Sequence, residues 1–203
     1  MILYHSPNSR SSTIVSLLHE LGARDKVDVR VVSIPRQDGS GGRDAANPHP
    51  EGKVPYLVNG EDTVRERGAI VAYLCEAFPE AGLAPMPGEA KRGEFLSWLF
   101  YYQGVLEPVL VGHVAEVKHP AYYATFRDMK TLTARLTDAL QGRDFLLGDR
   151  FSAADLLMFS PFGFFTQMTP DVPVIKDWVA RCMARPSMAE VARWDAELLA
   201  QTL

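Results

Sequence analysis

Hydroxyls crowd one short stretch of this 203-residue chain, where Ser6, Ser9, Ser11 and Ser12 are broken only by Pro7, Asn8 and Arg10. Ile14, Val15, Leu17, Leu18 and Leu21 follow at helical spacing, so the hydroxyls stand at a helix start. There they can cap the first turn, or join the positive end of the helix dipole in holding an anion. A second set of groups lies at Lys53-Val54-Pro55 and Glu66-Arg67. Pro55 opens the apolar run Tyr56-Leu57-Val58, and proline, which donates nothing to a ladder, belongs at a strand end. X-Pro bonds lose most of the trans preference, and a cis bond here would turn the Val54 N–H and C=O outward. They could then pair with an extended peptide by strand addition. Glu66 and Arg67 fall where the next helix begins, a carboxylate suited to an ammonium and a guanidinium suited to a carboxylate. Together these residues could capture a short peptide that carries both charges.

The elements that must position them can be read from pattern. Ile2-Leu3-Tyr4 predicts a strand, the Ile14–Leu21 stripe a helix stopped at Gly22, and the alternation of Val27, Val29 and Val31 a second strand. Residues 33–52 read as a Gly/Pro-rich loop standing where a second helix could sit, with room for a short one. The stretch 55–65 reads as a hairpin with Asn59-Gly60 at its turn, and Ile70, Tyr73, Leu74 and Ala77 mark a closing helix. The order is β-α-β-loop-β-β-α. Pro79, Gly82, Pro85, Pro87 and Gly88 mark a linker. Beyond it every pattern is helical: Phe95 to Leu110, Tyr122 to Leu140, a capping box at Ser152 and Asp155 with a Phe151–Leu156 staple, then stripes through Trp178 and Trp194. The expected fold class is α/β plus all-α: residues 1–78 a thioredoxin-like domain, 79–88 a linker and 89–203 an all-helical bundle.

Composition excludes several functions. A net charge of −4 argues against a general nucleic-acid or anionic-membrane binder, and 47% hydrophobic residues suffice for a core. No apolar stretch reaches the roughly 20 residues of a membrane span, and the start lacks the pattern of a signal peptide, so a cytoplasmic protein is expected. Cys75 and Cys182 lie far apart on helical patterns and read as buried thiols. No spacing of Cys and His suggests a metal site.

The segment Lys53-Val54-Pro55 to Glu66, the linker and the Phe145–Leu156 capping-box segment stand in the order found in the cytosolic glutathione S-transferases, and the chain resembles that family over essentially its whole length. Within it the chain resembles bacterial-type members with a serine-type active-site loop. The resemblance implies that glutathione is the co-substrate, that no metal is needed, and that the thiol is activated for attack on a small hydrophobic electrophile. A free thiol near pKa 8.5 is only a few per cent ionised at neutral pH, and lowering it two units takes about 2.7 kcal/mol. A hydroxyl donor and a helix N-terminus can supply that.

Ser6-Pro7-Asn8-Ser9 occupies the place of the Cys-Pro-x-Cys of thioredoxin-like redox proteins. Ser9 and Ser6 are the leading candidates to hold the thiolate, with Ser11 and Arg10 behind them. Tyr4 reads as packed and His5 as hydrogen-bonded or solvated. Arg10, Lys53, Val54, Pro55, Glu66 and Arg67 are the expected glutathione contacts. Arg67 departs from the Glu-Ser common in the family, losing a hydroxyl and adding a guanidinium. The His49-Pro50-Glu51 insertion can reshape the loop. The second substrate is expected between the domains, near Tyr101, Tyr102 and His113, with Trp98, Phe164 and Phe165 as further candidates. No Cys precedes Cys75, so the loop cannot form a mixed disulfide, which argues against the Cys-type classes. The resemblance also implies a detoxifying role and a homodimer without nucleic-acid or membrane partners. The alternatives are a non-catalytic transferase-like interaction module, or a glutathione-dependent peroxidase or isomerase. The isomerase ranks low, because its Ser-Ser-Cys-Ser-like run is not reproduced by Ser9-Arg10-Ser11-Ser12.

Overall fold

The structure, a computed structural model, describes residues 1–201. They form two units: residues 1–81 with the last helix from Pro186, and residues 82–185.

In the first unit, strands β1 (Ile2–His5), β2 (Asp28–Val31), β3 (Tyr56–Asn59) and β4 (Asp62–Val64) form a sheet ordered β2-β1-β3-β4. β1 pairs parallel with β2 and antiparallel with β3, and β3 pairs antiparallel with β4. Helices α1 (Ser12–Glu20) and α2 (Arg67–Ala77) pack on each other, with Leu3, Leu17, Leu18, Leu57, Ile70 and Leu74 fully buried. This is the thioredoxin-like order expected. α1 ends as the sequence predicts. Gly22 turns left-handed at φ 61°, its N–H reaching the His19 carbonyl, and the Ala23 N–H reaches the Leu18 carbonyl at 2.8 Å. Between β2 and β3 no helix forms. The loop is built instead from side-chain to backbone bonds: Asp44 accepts from the Ser33 and Ala46 N–H groups, and Asn47 and His49 hold the turn before Lys53.

Helix α9 (Pro186–Ala200) packs on α1. The sequence expectation placed residues 89–203 in one helical domain, whereas by its contacts this helix groups with residues 1–81. The physical reason is a carboxylate. Asp195 lies in the apolar stripe with Val191 and is only 1% exposed, and its oxygens are taken up by the first unit.

The second unit is helical: α3 (Arg92–Tyr101), α4 (Glu107–Val114), α5 (Pro120–Phe126), α6 (Met129–Leu140), α7 (Ala153–Phe164) and α8 (Pro173–Met183). A π-helical turn at Tyr102–Leu106 joins α3 to α4. The capping box at Ser152 and Asp155 forms as predicted. Asp155 also accepts from the Leu146 N–H at 2.8 Å and the Trp178 Nε1–H at 3.0 Å, so one buried carboxylate ties the loop before α7 to α8. Cys75 and Cys182 are buried thiols, and neither is in a disulfide.

Candidate functional site

The serine loop caps the helix start through Ser9, whose Oγ accepts from the Ser11 N–H at 3.2 Å. α1 begins at Ser12, and its N-cap Ser11 makes no side-chain capping bond. Ser11 Oγ points instead to His5 Nδ1 at 2.8 Å, while accepting from the Ser6 N–H at 3.0 Å. Ser9 Oγ lies 2.7 Å from Ser11 Oγ and 2.7 Å from the Ser6 carbonyl. Asn8 adopts a left-handed φ of 50°, which asparagine tolerates, and this turns its N–H to Asp195 Oδ2 at 2.9 Å. Asp195 completes the anchor by accepting from Ser12 Oγ at 2.6 Å and standing 2.9 Å from His5 Nε2. Burial opposes ionisation of Asp195, but His5, Ser12 and the Asn8 N–H outweigh it and hold the carboxyl below the usual carboxylate range.

The loop thus separates the two leading serines. Ser6 is 2% exposed, and Arg36 covers it, donating to Ser6 Oγ at 3.2 Å and to the Pro7 carbonyl at 2.6 Å. Ser11 is fully buried against His5. Ser9 alone of the three is partly exposed. Tyr4 is packed in the sheet, 6.1 Å from the Tyr56 ring, as expected. His5 is hydrogen-bonded, but is fully buried beneath Trp194, whose ring stacks on it at 5.1 Å.

Residues 53–55 have their expected backbone, with a cis Val54–Pro55 bond at the head of β3. The loop before it is held from within. Asn47 Nδ2 donates to the Lys53 carbonyl at 3.1 Å, Asn47 Oδ1 accepts from the His49 N–H, and His49 Nδ1 accepts from the Glu51 N–H at 3.0 Å. Burial lowers the His49 pKa, which keeps Nδ1 available as an acceptor. The insertion His49-Pro50-Glu51 therefore builds the support of Lys53. The exposed Lys53 pairs with Glu51 and lies within electrostatic reach of Glu66 and Arg10, so these groups share one patch. Glu66 stands at the N-cap position of α2 with φ 67°, makes no side-chain capping bond and is exposed. Arg67 is 6% exposed, so its guanidinium is packed inside rather than offered to solvent. What the helix start presents there is its first-turn backbone.

The second-substrate candidates do not converge. Tyr102 is core, 1% exposed. Tyr101 stands edge-on to Trp98 at 5.6 Å, its pKa raised by burial despite Arg135. His113 is exposed and, with Val109, Tyr122 and Tyr123, lines a cavity of about 320 Å³ that neither Tyr101 nor Tyr102 reaches. Trp98 is core, and Phe164 and Phe165 are exposed, with ring centroids 5.2 Å apart. Among the described residues no cluster suited to a metal ion is found.

Sequence reasoning missed Asp195 and Arg36. A carboxylate on the apolar face of the last helix, four residues after Val191, was a legible signal of a buried partner. Arg36 lies in a loop and gave no signal.

A four-stranded thioredoxin-like unit with a serine turn before α1, a cis-proline at the head of the interior strand β3 and Glu66 at the α2 start is followed in the chain by a helical unit. Residues 3–82 match the family model for the glutathione S-transferase N-terminal domain and residues 97–186 that for its C-terminal domain, and the chain belongs to this family. It is 26% identical to a dichloromethane dehalogenase of Methylorubrum extorquens over 95% of this chain and 74% of that protein. It is 29% identical to glutathione S-transferase GST-4.5 of Xanthomonas campestris pv. campestris over 55% of this chain and 58% of that one. Among solved structures, a sphingomonad glutathione S-transferase complexed with glutathione superposes with a TM-score of 0.76, at 26% identity, over 97% of this chain and 99% of that one.

Proposed function

We propose that the chain is a glutathione transferase in which Ser9 holds the glutathione thiolate. The observation that carries this is the unequal exposure of the loop: Ser6 is closed off by Arg36 and Ser11 by His5, whereas Ser9 is partly exposed at the helix start. The Val54 backbone takes the peptide main chain by strand addition. Glu66 faces the γ-glutamyl ammonium, and the α2 first turn its carboxylate. Lys53 and Arg10 supply positive charge for the second carboxylate, Lys53 leaving an exposed pair with Glu51 that costs little to exchange. The thiolate then attacks a small hydrophobic electrophile. The dichloromethane dehalogenase and transferase relatives favour this conjugating reading over a non-catalytic module.

Titration of glutathione by calorimetry tests the site, with thiolate formation followed by its ultraviolet absorbance. Ser9→Ala is expected to raise the bound thiol pKa by about one to two units, the value of one charge-assisted hydrogen bond, and to cut turnover at neutral pH about tenfold or more. Ser6→Ala should do much less. An unchanged thiolate in Ser9→Ala removes Ser9 from its role. The molecule is also read as a cytoplasmic, detoxifying homodimer without nucleic-acid or membrane partners, and no helix among the described residues is long and apolar enough to cross a membrane. Light scattering at micromolar concentration should give twice the chain mass.

A further inference from the structure

The serine nearest solvent is the outer end of a chain of groups that ends in a buried histidine and a carboxylate. Ser9 Oγ, Ser11 Oγ, His5 and Asp195 follow one another at 2.7, 2.8 and 2.9 Å. His5 and Ser11 are fully buried and Asp195 is 1% exposed, so bulk water does not reach the inner links. Thiolate stabilisation by a hydroxyl requires none of this. A helix start and one serine would suffice, yet the fold brings a carboxylate from the last helix to meet a histidine on the first strand.

We propose that Ser9, Ser11 and His5 form a proton relay that carries the glutathione thiol proton into the protein and stores it on His5, opposite Asp195. The inference rests on the reading that glutathione binds with its sulfur at Ser9. With neutral His5, Nε2–H donates to Asp195 and Nδ1 accepts from the Ser11 hydroxyl. Ser11 Oγ accepts from the Ser6 N–H at 3.0 Å and, once the Ser9 hydroxyl turns from the Ser6 carbonyl it meets at 2.7 Å, from that hydroxyl, while Ser9 Oγ accepts from the Ser11 N–H at 3.2 Å. Ser9 Oγ keeps a lone pair for the ligand's S–H. In the transfer the S–H bond breaks and its proton goes to Ser9 Oγ. The Ser9 proton moves to Ser11 Oγ and the Ser11 proton to His5 Nδ1. The electron pair stays on sulfur, and the new imidazolium faces the Asp195 carboxylate. Every hydroxyl has then reversed, so Ser9 donates to the thiolate it has just produced. The proton is conserved, and no group outside the chain and its ligand is needed.

Among the described residues, charged groups on the elements around His5 have partners of their own. Asp195 comes from α9. Arg24 lies over the Trp194 ring, 5.0 Å from its centroid, and Arg36 is engaged with Ser6 and Pro7. On β2, Val31 stands opposite His5, and Arg30 pairs outward with Asp28. Also on the α1–α9 contact is the pair of His19 with Glu190, 2.9 Å apart.

The test uses the unaltered protein. The 15N shifts of His5 report its protonation before and after saturation with glutathione, with S-methylglutathione, which has no thiol proton, as control. The expected result is a neutral imidazole that becomes an imidazolium with glutathione and not with the control, while thiolate absorbance appears and calorimetry in buffers of different ionisation enthalpy finds well under one proton released. Thiolate with a neutral His5 and a full proton released overturns the relay and leaves the Ser9 site standing. An imidazolium already present without ligand also overturns it. Absence of binding overturns both. His5→Gln and Asp195→Asn should lower kcat/KM about tenfold or more at neutral pH, with recovery as pH rises, whereas a purely structural defect would not recover.

Discussion

At the residue scale, the insertion His49-Pro50-Glu51 should make glutathione capture depend on pH. His49 is 5% exposed and accepts the Glu51 N–H through Nδ1, so its neutral form holds the loop. Its folded pKa lies below the ordinary value of 6.5, with burial the chief cause. The unfolded chain therefore binds the proton more readily than the folded one, and the stability of this loop is complete above the ordinary value and declines as pH falls below it. Glutathione affinity should weaken as pH drops through that window, and His49→Gln should flatten the dependence in a calorimetric titration. An equal acid weakening in His49→Gln would assign the effect to another group.

At the scale of elements, the Phe145–Ser152 segment, α7 and α8 share one buried carboxylate. Asp155 accepts from Leu146 N–H, Ser152 N–H and hydroxyl, and Trp178 Nε1–H, while burial pushes its pKa up. Asp155→Ala leaves those donors unsatisfied in the interior, at a cost of about 3 kcal/mol. Thermal unfolding should shift down by about 6–12 °C, since one kcal/mol moves a domain of this size by about 2–4 °C. A shift under a couple of degrees would show that water reaches these groups. α4 and α5 meet through a different device: Tyr122 donates to the Pro108 carbonyl at 2.6 Å, and a Cβ on Gly112 would stand 2.0 Å from that hydroxyl.

At the scale of the whole molecule, the first unit is closed by the end of the chain. α9 lies on α1, its Ser187 hydroxyl donates to Glu20 at 2.5 Å, and Asp195 holds the serine loop through Asn8 and Ser12. Removing the chain after Arg185 deletes that carboxylate and the apolar cover of α1. The truncated protein should lose glutathione binding by calorimetry, with the amides of β1 and the serine loop exchanging hydrogen far faster. Retained binding would show that the site does not need α9.

The sequence by itself determined the β-α-β-β-β-α order, the stop at Gly22, the hairpin turn at Gly60, the capping box at Ser152 and the family, because each rests on neighbours a few residues apart or on local periodicity. It also named the serines, Lys53, Val54, Pro55 and Glu66 as the groups to watch. Only tertiary structure decided which serine stays open, since Arg36 reaches Ser6 from 30 residues away and His5 meets Asp195 across 190. It also turned Arg67 inward and left Tyr101, Tyr102 and His113 without a shared cavity. Helical spacing gives the face of a residue within its own helix, and what that face meets is fixed by packing between elements distant in the chain.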